Sequence, residues 1–296
     1  MRILVTGAAG QLGHDVMNAL KKRGHEGIGT DITPSLGESS YIQLDITDAS
    51  AVEAVITKVK PDAVLHCAAC TAVDLAEEEA HREMVYAVNV TGTQNMARAC
   101  KKIDAKMMYV STDYVFDGKG ETPWQPDCKD CHPLNVYGET KLQGELAVSE
   151  MLERFFIVRI AWVFGKNGAN FIKTMLDVGK KHASLRVVKD QIGRPTYTYD
   201  LARLLIDMLE TDQFGYYHAT NSGNYISWYD FACEIFKQAG YDTAVIPVTT
   251  AEYGQTKAVR PFNSRLCTDK LQAAGFMPLP DWQDALGRYL KEIAAE

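Results

Sequence analysis

The chain has 296 residues, 46% hydrophobic and 23% charged, an ordinary globular composition that supports one large domain or two smaller ones. A net charge of −7 with no basic run argues against nucleic acid or an anionic membrane as partner. No apolar run reaches a transmembrane length, since the best candidate, residues 155–164, is short and broken by Arg159.

Met1-Arg-Ile-Leu-Val-Thr-Gly7 enters a strand pattern at once, so we expect no signal peptide and a cytoplasmic protein. The strand Arg2 to Thr6 runs into Gly7-Ala-Ala-Gly10-Gln-Leu-Gly13 and a helix over about Gln11 to Arg23, with Leu12, Val16 and Leu20 on one face. Strand, glycine turn, helix is the context in which a glycine motif binds a dinucleotide pyrophosphate. Glycines admit close backbone approach, and a helix N-terminus offers free N–H groups and the positive end of its dipole. Gly7, Gly10, Gln11, Leu12 and Gly13 are therefore candidate cofactor contacts, although the spacing is G-x-x-G-x-x-G and a tight strand–helix turn reads the same way.

A second strand, about Glu26 to Thr30, ends at Asp31. A carboxylate there suits the adenosine ribose hydroxyls and repels a 2′-phosphate, which leans toward NADH over NADPH unless a nearby cation offsets it. A turn Asp before Pro34 is the plain alternative. Tyr41 to Asp45 reads as a third strand, which places Asp45 and Ile46 near the adenine, and Asp48 to Lys60 as the next helix. Ala63 to Cys67 is a continuous apolar strand, buried on both faces. Ala68 and Ala69 after it let backbone lie against a cofactor. Thr71-Ala-Val73-Asp74 opens a loop into Glu77-Glu78-Glu79, read as a solvated helix face without chemistry.

A long helix over His81 to Ala105 carries Asn89, and Lys106 to Val110 is a fifth strand ending in Ser111-Thr112-Asp113-Tyr114. Alternating strands and helices predict an α/β fold with a doubly wound parallel sheet, whose ligands bind at the carboxyl ends of strands, where Thr71, Thr112 and Asp113 fall. Residues 119–133 hold three of the ten Pro and read as an irregular loop. Tyr137-Gly-Glu-Thr-Lys141 then starts a helix to Ser149, with Tyr and Lys one turn apart on one face, a proton donor and a cation to tune it.

Phe155 to Ala161 is a sixth strand, followed by Trp162 and a turn through Asn170 into another helix. Beyond about residue 165 the rhythm weakens: a strand at Ser184 to Lys189, helices at Asp200 to Leu209 and Ser227 to Ala239, an apolar run at Ala244 to Pro247, and a last helix at about Trp282 to Ala294. We expect a Rossmann core over 1–165, rejoined by about 190–215, and a smaller, interleaved substrate-binding part over 166–296.

The seven Cys are an odd number, so no disulfide framework is expected. Cys67-Ala-Ala-Cys70 and Cys128-Lys-Asp-Cys131-His132 have the spacing of haem attachment or of zinc half-sites. Haem attachment needs export, and Cys67 and Cys70 end an apolar strand, so reduced thiols packed as small apolar groups are the expectation, with no metal.

Taken together, the glycine turn, Asn89, Thr112 and Tyr137-x-x-x-Lys141 resemble the extended short-chain dehydrogenase/reductase family over nearly the whole chain. Longer matches are Ser111-Thr-Asp-Tyr-Val-Phe-Asp-Gly118, Arg159-Ile-Ala-Trp-Val163, Asp190-Gln-Ile-Gly-Arg-Pro-Thr196 and Arg260-Pro-Phe-Asn-Ser264; the loop with Cys128 and Cys131 departs from the pattern. The resemblance implies NAD(P)H-dependent reduction of the 4-keto group of dTDP-4-dehydro-L-rhamnose. Tyr137 supplies the proton, Lys141 lowers the phenol's pKa and holds the nicotinamide ribose, and Thr112 bonds the substrate oxygen. Thr71, Val73, Asp113, Tyr114, Trp162, Asn170 and Arg260 become candidate substrate contacts, with Arg260 suited to a diphosphate. Tyr114 stands where 4,6-dehydratases of the family carry a carboxylate, which disfavours elimination. A nucleotide-sugar epimerase, or a non-catalytic regulatory subunit like that of methionine adenosyltransferase, remain alternatives. The resemblance also allows a homodimer and a Mg²⁺ ion at a dimer contact, for which Asp15 is one carboxylate and no site by itself.

Overall fold

Period-two alternation sorts the strand side chains between two layers of helices. In the computed structural model, which describes residues 1–34, 40–254 and 256–295, the chain runs β1 (Arg2–Thr6), α1 (Gln11–Lys22), β2 (Glu26–Asp31), β3 (Tyr41–Gln43), α2 (Ala49–Val59), β4 (Ala63–His66), α3 (Thr93–Ile103), β5 (Lys106–Thr112), α4 (Val136–Met151), β6 (Phe155–Ile160), α5 (Thr198–Leu209) and β7 (Gly215–His218). The seven strands form one parallel sheet in the order β3-β2-β1-β4-β5-β6-β7. Ile3, Val5, Met108, Val110, Phe156 and Val158 point to α1 and α5. Leu4, Val64, Met107, Tyr109 and Ile157 point to α2, α3 and α4. This is the expected doubly wound sheet. Its strand order reverses between β1 and β4, and a crevice opens there at the carboxyl ends.

The short strand β7 adds to the sheet as its edge, beside β6. The expected long helix is in three pieces: Glu79–Tyr86, a π-helical stretch Ala87–Gly92, and α3. The π stretch contains Asn89, and single π turns often mark functional positions. A second apolar core lies outside the sheet, where Phe164, Ile172, Phe231, Ile235, Trp282, Leu286 and Tyr289 pack together. Its helices Phe171–Gly179, Trp228–Ala239 and Trp282–Ala294 accompany a parallel pair, Ser184–Val188 with Ala244–Val248.

One buried ion pair ties α4 to β6. Arg159 Nε and Nη2 donate to Glu145 Oε1 and Oε2 at 2.8 and 2.7 Å, with the side chains 3% and 1% exposed. Nη1 donates to the Pro126 carbonyl at 3.2 Å, fastening the irregular loop as well. A buried charge without its partner is expensive, whereas replacing both by apolar groups is often tolerated. Glu145→Ala is therefore expected to lower the unfolding free energy by about 3–5 kcal/mol, and adding Arg159→Met should return most of it. Urea unfolding measures both; equal losses in the single and double variants would contradict this account.

Candidate active site

Gly7 has φ +67° because the chain must turn sharply from β1 into α1. A Cβ on Gly7 would stand 2.8 Å from the Ala68 nitrogen, and one on Gly13 would stand 2.1 Å from the Gly7 carbonyl oxygen. Bare backbone thus lets the β1 turn, the start of α1 and the turn after β4 touch one another. Gly10 is the N-cap of α1 and no side chain caps that end, so the first-turn amides and the helix dipole are left to a ligand anion. A pyrophosphate fits this turn.

A cavity of about 520 Å³ extends from the turn along the carboxyl ends of the strands. Eighteen of the residues expected from the sequence line it: Gly7, Gly10, Gln11, Leu12, Gly13, Asp31, Asp45, Ile46, Ala68, Ala69, Thr71, Val73, Thr112, Asp113, Tyr114, Tyr137, Lys141 and Trp162. Asn170 and Arg260 do not. Asn170 caps the helix Phe171–Gly179, accepting from the Lys173 N–H at 3.0 Å and donating to Gln11, Gly165 and Tyr289. Arg260 is paired with Asp74, Nη2 to Oδ2 at 2.6 Å.

At the end of the cavity nearest β2, the Asp31 carboxylate accepts the Ala9 N–H at 3.2 Å and the Thr33 N–H at 3.3 Å. Asp45 turns back on Thr47, accepting its N–H and hydroxyl at 2.9 and 2.7 Å, while Asn95 holds the Ile46 carbonyl at 3.0 Å. At the other end, Asn135 caps α4, accepting the Gly138 N–H at 2.8 Å, and Glu77 accepts the Val136 N–H at 2.7 Å. Glu77, read from sequence as part of a solvated face, therefore fixes the start of the helix that carries Tyr137. Asn89 grips the Cys70 backbone through both amide atoms, at 2.8 and 3.1 Å, and donates to Thr140 at 3.0 Å. It joins the β4 turn to α4.

Tyr137 is hydrogen-bonded to Thr112, and its ring meets that of Tyr114 edge-on at 5.6 Å. Lys141 Nζ donates to the Val110 carbonyl at 2.8 Å and lies 3.9 Å from the Tyr109 ring centroid. The sequence expectation was that Lys141 pulls the phenol's pKa down. Instead burial raises the Tyr137 pKa, and the opposing influence is its Thr112 hydrogen bond. Burial lowers Lys141 to about 7, partly offset by Glu145. The helix does set the two on one face, but the longer lysine chain reaches down to β5.

Sequence reasoning named Asp113 and Trp162 as substrate contacts but passed over Ser111 and His66. Asp113 is 2% exposed, and burial raises its pKa to about 6 against the hydrogen bonds of the Ser264 and Thr112 hydroxyls, the latter donating to Oδ1 at 3.1 Å. Ser111, beside Thr112, lines the cavity with a hydroxyl that has no partner among the described residues. His66 is buried and neutral, its pKa lowered to about 3 by desolvation, between Thr6 Oγ1 at 2.7 Å and Thr93 Oγ1 at 3.1 Å. Thr6 Oγ1 in turn accepts the Ala68 N–H at 3.1 Å. A lone His in an apolar strand carries no signal of that role. Trp162 forms a cavity wall at φ +50°, backed by Trp228 with ring centroids 3.7 Å apart. Left-handed backbone at a bulky residue persists only where its surroundings enforce it.

Asp15 is buried under α1 and accepts from Thr198 Oγ1 at 2.5 Å, and burial raises its pKa. Among the described residues, no three His, Cys, Asp or Glu side chains are grouped to hold a metal, and no helix is long and apolar enough to cross a membrane.

The Lys141 shift has a testable sign. An unfolded lysine keeps its proton to about 10.5, whereas the folded one releases it near 7. Between those values the unfolded chain binds more protons, so this lysine's contribution to stability rises with pH. Lys141→Met should therefore gain more over the parent at pH 6.5 than at pH 9.5 in urea unfolding of cofactor-free protein. A pH-independent difference would refute the assignment.

Residues 1–295 match the family model described as RmlD substrate binding domain. The spore coat polysaccharide biosynthesis protein SpsK of Bacillus subtilis is 39% identical over 98% of this chain and 97% of its own. The dTDP-4-dehydrorhamnose reductase of Escherichia coli is 37% identical over 99% of this chain and 98% of its own. Among solved structures, a dTDP-4-dehydrorhamnose reductase from Clostridium acetobutylicum superposes with TM-score 0.92 at 39% identity, covering 99% of this chain and 100% of its own. One from Bacillus anthracis in complex with NADP gives 0.90 at 38%, covering 98% and 99%.

Proposed function

The chain belongs to the RmlD substrate-binding-domain family, and from that membership and the cavity we propose that it reduces the 4-keto group of dTDP-4-dehydro-L-rhamnose to dTDP-L-rhamnose. The observation that carries the reading is the convergence of Tyr137, Thr112 and Lys141 on the cavity that begins at the glycine turn. Gly7, Gly10 and the first turn of α1 hold the cofactor's pyrophosphate, and Asp31 its adenosine ribose. The nicotinamide, when bound, supplies the hydride to the carbonyl carbon. Tyr137 gives its O–H proton to the oxygen, which becomes the product hydroxyl. A phenol whose pKa is raised by burial is fully protonated at neutral pH, the state a donor requires. Thr112 holds that phenol and the substrate oxygen together, and Lys141 holds the nicotinamide ribose.

The sugar lies between Trp162 and the strand ends, where the buried Asp113 carboxylate can accept from a hydroxyl. Tyr114 cannot serve as the second carboxylate of an elimination, which favours simple reduction. Arg260, at the mouth, suits the nucleotide's diphosphate.

Tyr137→Phe removes only the phenol oxygen. It should cut turnover of the keto-sugar nucleotide by roughly 10²–10⁴-fold while leaving the dissociation constant of NAD(P)H within about threefold. Stopped-flow cofactor oxidation and fluorescence titration read the two quantities, and equal loss of both would make Tyr137 a structural residue.

On cofactor choice, the Asp31 carboxylate favours NADH over NADPH through repulsion of the 2′-phosphate. Asp31→Ala should move the ratio of kcat/KM values toward NADPH by about tenfold, one charge–charge contact near a surface. An unchanged ratio removes Asp31 from cofactor selection.

A further inference from the structure

We propose that Asp74 is a positioning residue for the nucleotide end of the substrate: it aims Arg260 at the cavity mouth and anchors the strap that carries it. The inference rests on the reading of Arg260 as the diphosphate contact.

Two segments far apart in sequence meet here. Asp74 lies in the short turn after β4, next to the cavity-lining Val73. Arg260 lies in the strap of residues 256–265. The Ala258 N–H donates to Asp74 Oδ1 at 3.0 Å, so the carboxylate holds the strap's backbone as well as its guanidinium. Arg260 Nη1 reaches Oδ1 at 3.2 Å and Nη2 reaches Oδ2 at 2.6 Å. Lys257 pairs with Glu78 one turn further on, and Asn135 Nδ2 donates to the Val259 carbonyl at 2.8 Å. Beyond Arg260 the strap is pinned again, with the Asn263 N–H on the Gly118 carbonyl and the Ser264 N–H on the Ile192 carbonyl, both at 2.8 Å.

The pair engages the guanidinium end-on, through the two Nη atoms. None of those contacts uses Nε, so the Nε–Nη2 edge, which can hold an oxyanion with two parallel hydrogen bonds, is not taken by Asp74. The Tyr114 hydroxyl, on a cavity-lining residue, also interacts with the guanidinium. Arg260 is therefore tied to Tyr114, a wall of the site, and to Asp74, whose neighbour Val73 is another, without itself lining it. The side chains of Arg260 and Asp74 are 26% and 45% exposed, and ion pairs this accessible contribute little to stability. What this one does is fix a direction.

The test is binding of dTDP to the intact protein by calorimetry, together with KM for the keto-sugar nucleotide. Arg260→Ala should weaken dTDP about tenfold or more, as loss of a charge-assisted contact does. Asp74→Asn, which keeps the shape and removes the charge, and Asp74→Ala should each weaken dTDP roughly five- to tenfold and raise KM more than they lower kcat. Thymidine, which lacks the diphosphate, should bind all variants alike, and melting temperatures should change little. In the Arg260→Ala background, Asp74→Ala should add nothing, because residues acting through one contact are not additive. If Arg260→Ala weakens dTDP but Asp74→Ala does not, or if the two effects add, the role of Asp74 is overturned and Arg260 stands. If Arg260→Ala leaves dTDP affinity unchanged, the reading of Arg260 fails and the inference goes with it.

Discussion

Everything at the site depends on one contact between bare backbones. At Gly7 the turn leaving β1 lies against the turn leaving β4, and Gly13 brings α1 down onto the Gly7 carbonyl. A single methyl at either position would force these segments apart. The strand order reverses between β1 and β4, so this contact sits at the base of the crevice. It sets how closely a pyrophosphate can approach α1 and where Ala68 and Ala69 lie along the cavity. The distance along the cavity from the glycine turn to Tyr137 follows from that spacing.

Beneath the contact runs a chain of buried polar groups. The Ala68 N–H, Thr6, His66, Thr93 and the Asn89 carbonyl follow one another at hydrogen-bond distances. The Asn89 side chain carries the connection on to Cys70 and to Thr140 in α4. A satisfied polar network in a low-dielectric interior rigidifies what it joins, while a broken one is costly. Here it joins the β4 turn, which lines the cavity, to the helix that presents Tyr137. Keeping His66 neutral is part of this arrangement, since an imidazolium there would need a buried counter-charge that the network does not supply. The glycine-turn half and the Tyr137 half of the cavity are thus held in register by side chains that do not line it.

Much of this was legible because it is local. The glycine turn, the strand-end positions and Tyr137-x-x-x-Lys141 each lie within a few residues, and period-two and helical patterns fixed the parallel sheet without further help. What escaped is non-local. Glu77 looked like a solvated acid because its partner, the N-terminus of α4, is 59 residues away. Asn170 read as a substrate contact, but the groups it holds, Gln11 and Tyr289, come from the two ends of the chain. The Asp74–Arg260 pair spans 186 residues. Pairings of this kind depend on how the strap and the second core fold back on the sheet, and no spacing rule encodes them.

Burial also acts on the Tyr137–Lys141 pair in a way that spacing alone does not show. Tyr and Lys one turn apart suggest an ammonium that draws a proton off a phenol. In the folded chain desolvation acts on the two in opposite senses, raising Tyr137 and lowering Lys141, so each is pushed toward its neutral form. For the proposed reduction the phenol must hold its proton until charge develops on the substrate oxygen, and a raised pKa keeps it there. A neutral phenol also makes Thr112 the partner that matters in the resting state, because the threonine oxygen can accept the phenol's hydrogen while its own is donated to Asp113 Oδ1 at 3.1 Å. Lys141, tied to the Val110 carbonyl and seated on Tyr109, is then left to bind and orient. Its charge need not reach the phenol until the proton has moved.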